Sequence, residues 1–267
     1  MNTQKINEMG KKYGQWTVIS PAESQKRGAL WNCVCGCGEK KIIRGSHLRR
    51  AETLACNLCT RKKNHLKIIN NKDIIDGLLL GDGCISVKNG GLFAILNVSQ
   101  TDRGLVEYLR DKICPEAKIN ERKTKRKTIY YFSVTNSSLI PIRERWYPNG
   151  KKIVPKNLIF TPLMVLNWFM GDGSTSFTKN KKQVNLTLST ESFTKEEVIF
   201  LKNGLSKAIG QEIRISTNKG SFSDRTYFRL SSGKSSFTNA FFDYVGECPV
   251  ECMKYKWKRG RVLNKKL

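Results

Sequence analysis

The sequence predicts an α+β fold that is built from an internal duplication and preceded by a small metal-stapled module. Three observations support this prediction. An apolar run that ends in Gly-Asp-Gly occurs twice, at residues 74–83 and 164–173. The strands and helices predicted after each copy come in the same order. Closely spaced cysteines lie ahead of both copies, within residues 33–59.

The duplication is centred on the two Gly-Asp-Gly motifs. Val98 lies 16 residues beyond Asp82, and Leu188 lies 16 residues beyond Asp172. The surrounding segments, Leu-Asn-Val-Ser and Leu-Thr-Leu-Ser, are offset by 90 residues. Self-similarity at a fixed spacing is the signature of a repeated structural unit, here of roughly 100 residues. We therefore expect two structurally related halves.

Each apolar run predicts a short buried helix, because it is continuously apolar and contains no proline. The glycines are expected to end the helix in a left-handed backbone conformation. An aspartate at this end is unfavourable, since the free carbonyl groups already make it negative. A divalent cation would remove the penalty, because Mg²⁺ prefers carboxylate and carbonyl oxygens. A single such motif is usually a plain turn, but Asp82 and Asp172 together predict a paired metal site if the helix ends meet.

The charge indicates the class of partner. A total of 48 Lys and Arg against 22 Asp and Glu leaves a net charge of +26, and the 12 Phe, 8 Tyr and 5 Trp indicate a folded chain. This combination favours a polyanion-binding protein, with nucleic acid ahead of a membrane surface. No segment approaches the roughly 18 apolar residues of a membrane helix, and a secretory signal is missing. Nine cysteines in such a chain predict metal ligation in a reducing, DNA-containing compartment, which we expect to be cytoplasmic.

Residues 1–66 are expected to form a separate, zinc-ribbon-like module. Cysteine pairs that are about 20 residues apart are typical of a structural Zn²⁺ site, and so short a segment needs such a staple to fold. The candidate ligands are Cys33, Cys35, Cys37, Cys56 and Cys59. Because zinc takes four ligands, one of the first three is expected to be spare; the alternative is a set of reduced, buried cysteines. Residues 61–64 are expected to be a polar linker.

After each acidic residue, the sequence predicts strand, strand, helix, strand and strand. An Asn-Gly-Gly turn at residues 89–91 predicts the first hairpin, and Pro115 ends the helix that follows. In the second half, Thr194 and Glu197 form a capping box, and Gly210 ends that helix. Strands that alternate apolar with polar or basic residues predict sheets with one solvent-facing side.

The polar side of these sheets is a candidate surface for a nucleic-acid groove, the alternative being an ordinary solvated sheet face. The basic run at residues 123–127 favours contact with phosphates. The candidate DNA-binding residues are Lys123, Lys125, Arg126, Lys127, Arg214, Arg225 and Arg229.

With these motifs in place, the two repeats resemble the LAGLIDADG family of homing endonucleases in its single-chain, two-motif form. The resemblance spans residues 72–258 and is most specific at residues 152–158, 168–174, 192–197 and 251–256. It implies a pseudo-twofold, duplicated αββαββα fold with saddle-shaped antiparallel sheets, and repeats at residues 67–150 and 151–267. Residues 11–66 resemble an N-terminal module of phage-encoded nuclease-like proteins, which implies a DNA-docking role.

The resemblance also implies an activity, namely Mg²⁺-dependent, site-specific cleavage of double-stranded DNA that leaves 3′ overhangs. The implied partner is a long asymmetric target site, bound by a monomer. By position, the metal-binding acids would be Asp82 and Asp172, completed by the carbonyl groups of Gly81 and Gly171. The residues that match the family's lysines are Lys152 and Lys256.

The sequence departs from the family motif at Asp76, Leu166 and Asn167, where small residues are usual. We therefore expect looser or asymmetric contact between the two motif helices. Alternative functions are an RNA-binding intron maturase, a catalytically inactive DNA-binding regulator of the same fold, and a structural zinc-stapled basic protein. The presence of both acids and both lysines favours the enzyme.

Overall fold

The computed structural model describes residues 6–23, 28–88, 93–177, 184–220 and 223–261, without the side chains of residues 61–67, 88, 219–220, 223–225 and 258–261. The Asn-Gly-Gly turn expected at residues 89–91 lies outside the described residues. The chain divides into two compact units, Met1–Leu66 and Lys67–Leu267. Among the described residues, no helix combines the length and the apolar character needed to cross a membrane.

The first unit is a four-stranded antiparallel sheet followed by one short helix. Its elements are β1 (Lys12–Tyr13), β2 (Trp16–Ala22), β3 (Leu30–Cys35), β4 (Lys40–Arg44) and α1 (Gly45–Arg49), with the strands in the order β1-β2-β3-β4. The buried core contains Trp16, Val18, Trp31, Ile43, Leu48 and three cysteines. A core of this size supplies little stability by itself.

Helix α2 (Asn57–Asn70) begins in the first unit and ends in the second. The polar segment predicted as a linker at residues 61–64 is helical, because these residues continue α2. Arginine and lysine have favourable helix propensity, and residues 57–70 contain no glycine or proline. Polarity alone does not distinguish a helical linker from an irregular one.

The second unit contains the element order αββαββα twice, so the predicted α+β fold class is confirmed. The first copy comprises α3 (Lys72–Leu80), β5 (Cys84–Lys88), β6 (Phe93–Gln100), α4 (Arg103–Ile113), β7 (Asn120–Lys123), β8 (Thr128–Asn136) and α5 (Ile140–Trp146). The second comprises α6 (Pro162–Asp172), β9 (Gly173–Phe177), β10 (Val184–Ser189), α7 (Lys195–Ile209), β11 (Arg214–Gly220), β12 (Ser223–Ser232) and α8 (Ser235–Val245). Helix α9 (Lys254–Arg261) follows.

The two sheets of this unit have the same strand order, β5-β6-β8-β7 and β9-β10-β12-β11. The register also repeats, since Leu96 pairs with Ile85 and Leu186 pairs with Thr175, in both cases 90 residues further on. Local signals act as expected: Thr194 and Glu197 form the capping box of α7, and Gly210 ends it with φ 73°. The internal duplication is therefore structural as well as sequential.

The left-handed helix ends predicted at the Gly-Asp-Gly motifs are wrong. Gly81 has φ −105° and Gly173 has φ −84°, so neither is left-handed. Glycine is needed there for space instead. A β-carbon on Gly83 would lie 2.8 Å from the Leu78 carbonyl oxygen, and one on Gly173 would lie 2.0 Å from the ring of Phe169.

Helices α3 and α6 pack directly against each other. A β-carbon on Gly77 would lie 2.3 Å from the Met164 carbonyl oxygen and 2.9 Å from the β-carbon of Asn167. Gly77 and Asn167 occupy equivalent positions in the two repeats, 90 residues apart. Of the two alternatives expected, the contact is asymmetric rather than loose: glycine on one helix gives room for asparagine on the other.

Candidate active site and metal centres

The two aspartates lie where the ends of α3 and α6 adjoin. Asp82 follows the end of α3 and is exposed, whereas Asp172 is the last residue of α6 and is partly buried. A β-carbon on Gly81 would lie 3.2 Å from Cγ of Asp172, so the carboxyl group of one repeat lies against the helix end of the other. The structure thus meets the condition that the sequence left open, that the two helix ends come together.

The protonation of Asp172 depends on its surroundings, which include Asp82. Burial and the neighbouring charge of Asp82 raise the pKa of Asp172 to about 6, although Lys152 and Lys256 oppose this shift. Two carboxylates at one site disfavour the state in which both are ionised. A divalent cation would reverse that repulsion. Carboxylates with adjacent helix-end carbonyl groups are a donor set that fits Mg²⁺.

The two predicted lysines each reach the C-terminal end of one motif helix. Lys152 Nζ donates hydrogen bonds to the carbonyl oxygens of Gly81 at 2.9 Å and Gly83 at 3.0 Å. Lys256 Nζ donates to the carbonyl oxygens of Met170 at 2.7 Å, Phe169 at 3.2 Å and Gly171 at 3.3 Å. A cation at this end of a helix offsets the negative partial charge of the free carbonyl groups.

Burial affects the protonation of both lysines. It lowers the pKa of Lys152, and it lowers the pKa of Lys256 to about 8, while the Asp172 charge opposes both shifts. The carbonyl groups of Gly81 and Gly171, predicted as metal ligands, accept hydrogen bonds from these lysines. Because a carbonyl oxygen has two lone pairs, it can accept a lysine proton and still face a cation.

Two further polar residues beside the acids were missed by the sequence analysis. Gln100 Nε2 donates to Asp82 Oδ2 at 3.0 Å. Glu191 adds to the raised pKa of Asp172 and forms an ion pair with Arg229. Both lie at or just beyond the end of the second strand of a repeat. Their position at a strand end was the only signal in the sequence. The pairing of the strands in the sheet is needed to show that these strand ends lie next to the two aspartates.

The first unit brings four of the five candidate cysteines together. The sulfur atoms of Cys35, Cys37, Cys56 and Cys59 all lie within 4.8 Å of one another. Two of the separations are 3.8 Å, for Cys35 and Cys59, and 3.3 Å, for Cys37 and Cys56. Cys33 lies apart, and its thiol donates to the Trp31 carbonyl oxygen. Four sulfurs at these separations fit the tetrahedral Zn²⁺ site, with Zn–S bonds of about 2.3 Å.

The thiols of the cluster perturb one another. Burial opposes ionisation of Cys35, but hydrogen bonds from its neighbours, Cys56 first among them, outweigh burial and lower its pKa to about 7. Hydrogen bonds to Cys37 and Cys56 raise the pKa of Cys59 to about 12. The backbone N–H of Cys59 also donates to the Cys56 sulfur at 3.4 Å. Such mutual dependence is expected where several thiols share a site.

The predicted DNA-binding residues differ in what surrounds them. Lys123, Lys125, Arg126 and Lys127 are exposed at the turn between β7 and β8, and Arg214 is exposed at the start of β11. Arg229 is half-buried on β12 and paired with Glu191. The side chain of Arg225 lies outside the described part of the chain. The sheets alternate as predicted, for example in β6 and β10, where every second residue is buried.

A duplicated αββαββα unit with one acid from each repeat at adjoining helix ends is the single-chain, two-motif architecture of a family of DNA endonucleases. The chain belongs to the LAGLIDADG DNA endonuclease family, whose family model matches residues 72–238.

Individual relatives cover much of the chain. The uncharacterized protein MJ1098 of Methanocaldococcus jannaschii is 32% identical over 241 residues, which cover 84% of this chain and 91% of that protein. The cytochrome b mRNA maturase bI2 of Debaryomyces hansenii is 27% identical over 209 residues, covering 69% of this chain and 72% of that protein. The homing endonuclease I-WcaI, solved bound to its DNA recognition sequence, superimposes with a TM-score of 0.58 at 22% identity, covering 71% of this chain and 85% of that one.

Proposed function

We propose that this protein is a Mg²⁺-dependent, site-specific endonuclease that cuts both strands of DNA as a monomer and leaves 3′ overhangs. The observation that supports the proposal best is the meeting of Asp82 and Asp172 at adjoining helix ends, each with a lysine on the same helix end. Each of the two helix ends brings one acid and one lysine together, so that one such pair serves each strand. With two such unequal sites, the DNA target does not have to be palindromic.

The residues at the two helix ends have different roles in hydrolysis. Asp82, Asp172 and the carbonyl groups of Gly81 and Gly171 would hold the divalent ions. When bound, Mg²⁺ neutralises the scissile phosphate and lowers the pKa of water. Lys152 and Lys256 stabilise the negative charge that develops on the phosphate oxygens. Gln100 fixes the orientation of the Asp82 carboxylate through its hydrogen bond.

The remaining basic residues supply contacts with the DNA backbone. The turn at residues 123–127, Arg214, Arg225 and Arg229 belong to this set in our proposal, and the polar faces of the two sheets follow a DNA groove. The similarity in fold to I-WcaI, which was solved on its DNA recognition sequence, supports DNA as the partner. The repeats at residues 67–150 and 151–267 would each cover one half of the target.

For residues 1–66 we propose a DNA-docking module whose fold depends on a structural Zn²⁺. The ligands are Cys35, Cys37, Cys56 and Cys59, whose sulfur atoms the structure brings together. Because the site needs reduced thiols and the proposed substrate is DNA, a reducing, DNA-containing compartment is part of the proposal.

The proposal is tested by incubating the protein with a randomised duplex library in Mg²⁺ and, separately, in Ca²⁺. We expect cleavage of a specific sequence in Mg²⁺ and binding in both ions. Asp82→Asn and Asp172→Asn should each abolish double-strand cleavage while target affinity stays close to that of the wild type. Loss of affinity in these variants would instead assign the two acids to the fold.

A second candidate, an RNA-binding maturase, is supported by the similarity to the maturase of Debaryomyces hansenii. Binding without cleavage by the wild-type protein in Mg²⁺ would favour this candidate or a DNA-binding regulator. A splicing assay on an intron-containing transcript separates those two functions.

A further inference from the structure

Asp76 is a buried carboxylate in α3 that the chemistry described above does not use. Its side chain is 2% exposed. Oδ2 accepts a hydrogen bond from Lys72 at 2.9 Å, and Oδ1 accepts one from the Trp146 indole at 2.8 Å and another from the guanidinium of Arg145. Burying a charge is costly unless it is paired. Two of its three donors lie at the end of α5.

The end of α5 leads directly into the segment that carries Lys152. The backbone N–H of Ile153 donates to the Trp146 carbonyl oxygen at 2.8 Å, which closes residues 147–152 into a loop. Within this loop, the Tyr147 hydroxyl accepts a hydrogen bond from the Ile85 backbone at 3.3 Å. Lys152 then returns to the same helix that contains Asp76, at the Gly81 carbonyl group. A continuous series of contacts therefore runs from Asp76 in α3 to the end of α5, along the loop at residues 147–152, and back to the end of α3 through Lys152.

The lysine at the end of α6 is held by different contacts. The position equivalent to Asp76 is Leu166, which is buried and apolar. Lys256 lies within α9, where the neighbouring Trp257 donates to the Gly246 carbonyl oxygen at 2.8 Å and packs edge-on against the ring of Phe169. A buried ion pair therefore lies at the base of the segment that carries Lys152, whereas aromatic packing lies beside Lys256.

We propose that Asp76 is a positioning residue for Lys152 and that it acts on only one of the two strand cleavages. Its carboxylate fixes Arg145 and Trp146, these fix the loop at residues 147–152, and the loop places Lys152 at the end of α3. This inference rests on the proposed nuclease function. Loss of a residue that orients a metal ligand typically costs about 10–100-fold in activity, and we expect a similar loss for a residue that orients Lys152.

The kinetic test uses the target duplex selected by the wild-type protein, with the two strands labelled separately. Asp76→Asn should slow cleavage of one strand by about 10–100-fold, with little change on the other, so that nicked DNA accumulates. Lys152→Met should slow the same strand. Because Asp76 acts through Lys152, combining both changes should add no further loss. Equal slowing of both strands, or additive losses, would overturn the inference.

A second measurement needs neither DNA nor metal. Lys152 is partly buried, so acetylation by an activated ester, followed by mass spectrometry, should label it slowly in the wild type and faster in Asp76→Asn. The labelling rate of Lys256 should not change. Unchanged labelling of Lys152 would contradict the positioning role. If the wild type proves not to cut DNA, the proposed function fails while this measurement still decides the role of Asp76.

Two further variants guard against a simple folding defect. Asp76→Leu combined with Arg145→Met replaces the buried ion pair with apolar side chains, which is often neutral or stabilising; faster labelling of Lys152 is expected here as well. Leu166→Met is a nearly volume-conserving change at the equivalent position of the second repeat. It should leave the labelling of both lysines and the ratio of the two strand rates as in the wild type, and a change in either would count against the inference.

Discussion

Asp172 and Asp82 are equivalent in sequence but differ in their access to water. Asp172 is partly buried against the end of the other motif helix, whereas Asp82 is exposed and accepts a hydrogen bond from Gln100. The pKa of Asp172, raised to about 6, lies above the value of 3.8 for an unperturbed aspartate. Ionised Asp172 therefore destabilises the metal-free fold at neutral pH.

Asp172→Asn should raise the free energy of unfolding of the metal-free protein. At pH 8 we expect a gain of about 1–2 kcal/mol after allowance for solvent screening. The gain should disappear as the pH falls from about 6 toward 4, because the wild-type carboxyl group becomes neutral over this range. Urea denaturation in EDTA measures it. Asp82→Asn, at an exposed site, is the control with a smaller gain, and a difference that does not vary with pH would contradict the prediction.

At the scale of elements, the packing of α3 on α6 decides how close the two acids lie. The contact at Gly77 leaves no space for a side chain, since a β-carbon there would meet the backbone of Met164. Helix α6 offers no compensating gap at this point, because Asn167 faces the glycine. Separation of the two helices would also separate the paired aspartates.

Gly77→Ala should therefore destabilise the protein by about 2–3 kcal/mol, as expected for overpacking. Gly171→Ala is the matched control, because nothing lies within 4 Å of the position that its β-carbon would occupy. We expect the free energy of unfolding of that variant to lie within about 1 kcal/mol of the wild-type value. Urea denaturation of both variants checks the comparison, and similar losses in the two would show that the crossing is not tight.

The cysteine cluster leads to a prediction about zinc binding and folding of the first unit. Cys35→Ser should remove bound zinc and unfold the first unit, since a structural zinc site contributes directly to folding. Cys33→Ala should retain zinc, because Cys33 lies outside the group of four. Metal analysis by mass spectrometry, together with circular dichroism, measures both effects. Zinc loss in Cys33→Ala would show that this residue is a ligand.

The sequence predicted features that depend on neighbours along the chain. The capping box at Thr194, the end of α4 before Pro115 and the sequence of strands and helices after each acid all follow from local patterns. The choice among cysteines was not local. Cys33 and Cys35 both lie on the buried side of β3, and only the approach of a distant segment distinguishes them.

Contacts between distant residues account for most of what was missed at the site. Arg145 lies 69 residues from Asp76 in sequence, and no periodicity connects the two. The same holds for the hydrogen bond of Gln100 to Asp82, which depends on the pairing of β5 with β6. The helical state of residues 61–64 was missed for another reason, because charge pattern and helix propensity predicted different structures there.

For the molecule as a whole, the net charge of +26 predicts DNA affinity that depends strongly on salt. Changing Lys125, Arg126 and Lys127 together to glutamine should reduce the slope of log K against log salt by about 0.9 for each phosphate that these side chains no longer neutralise. The control changes Lys195 and Lys207 of α7 to glutamine; that helix packs on the buried side of its sheet. Fluorescence anisotropy at several salt concentrations measures both. Equal slopes in the two variants would assign the basic turn to solubility.

The glycine-against-asparagine contact between the two repeats has a consequence for whether either repeat could form a symmetric pair. A homodimer made from two first halves would set glycine opposite glycine and leave a void at the crossing. A homodimer made from two second halves would set asparagine opposite asparagine, with no room for either. At this point each half is complementary to the other and not to itself, so neither half would form a symmetric pair without repacking the crossing.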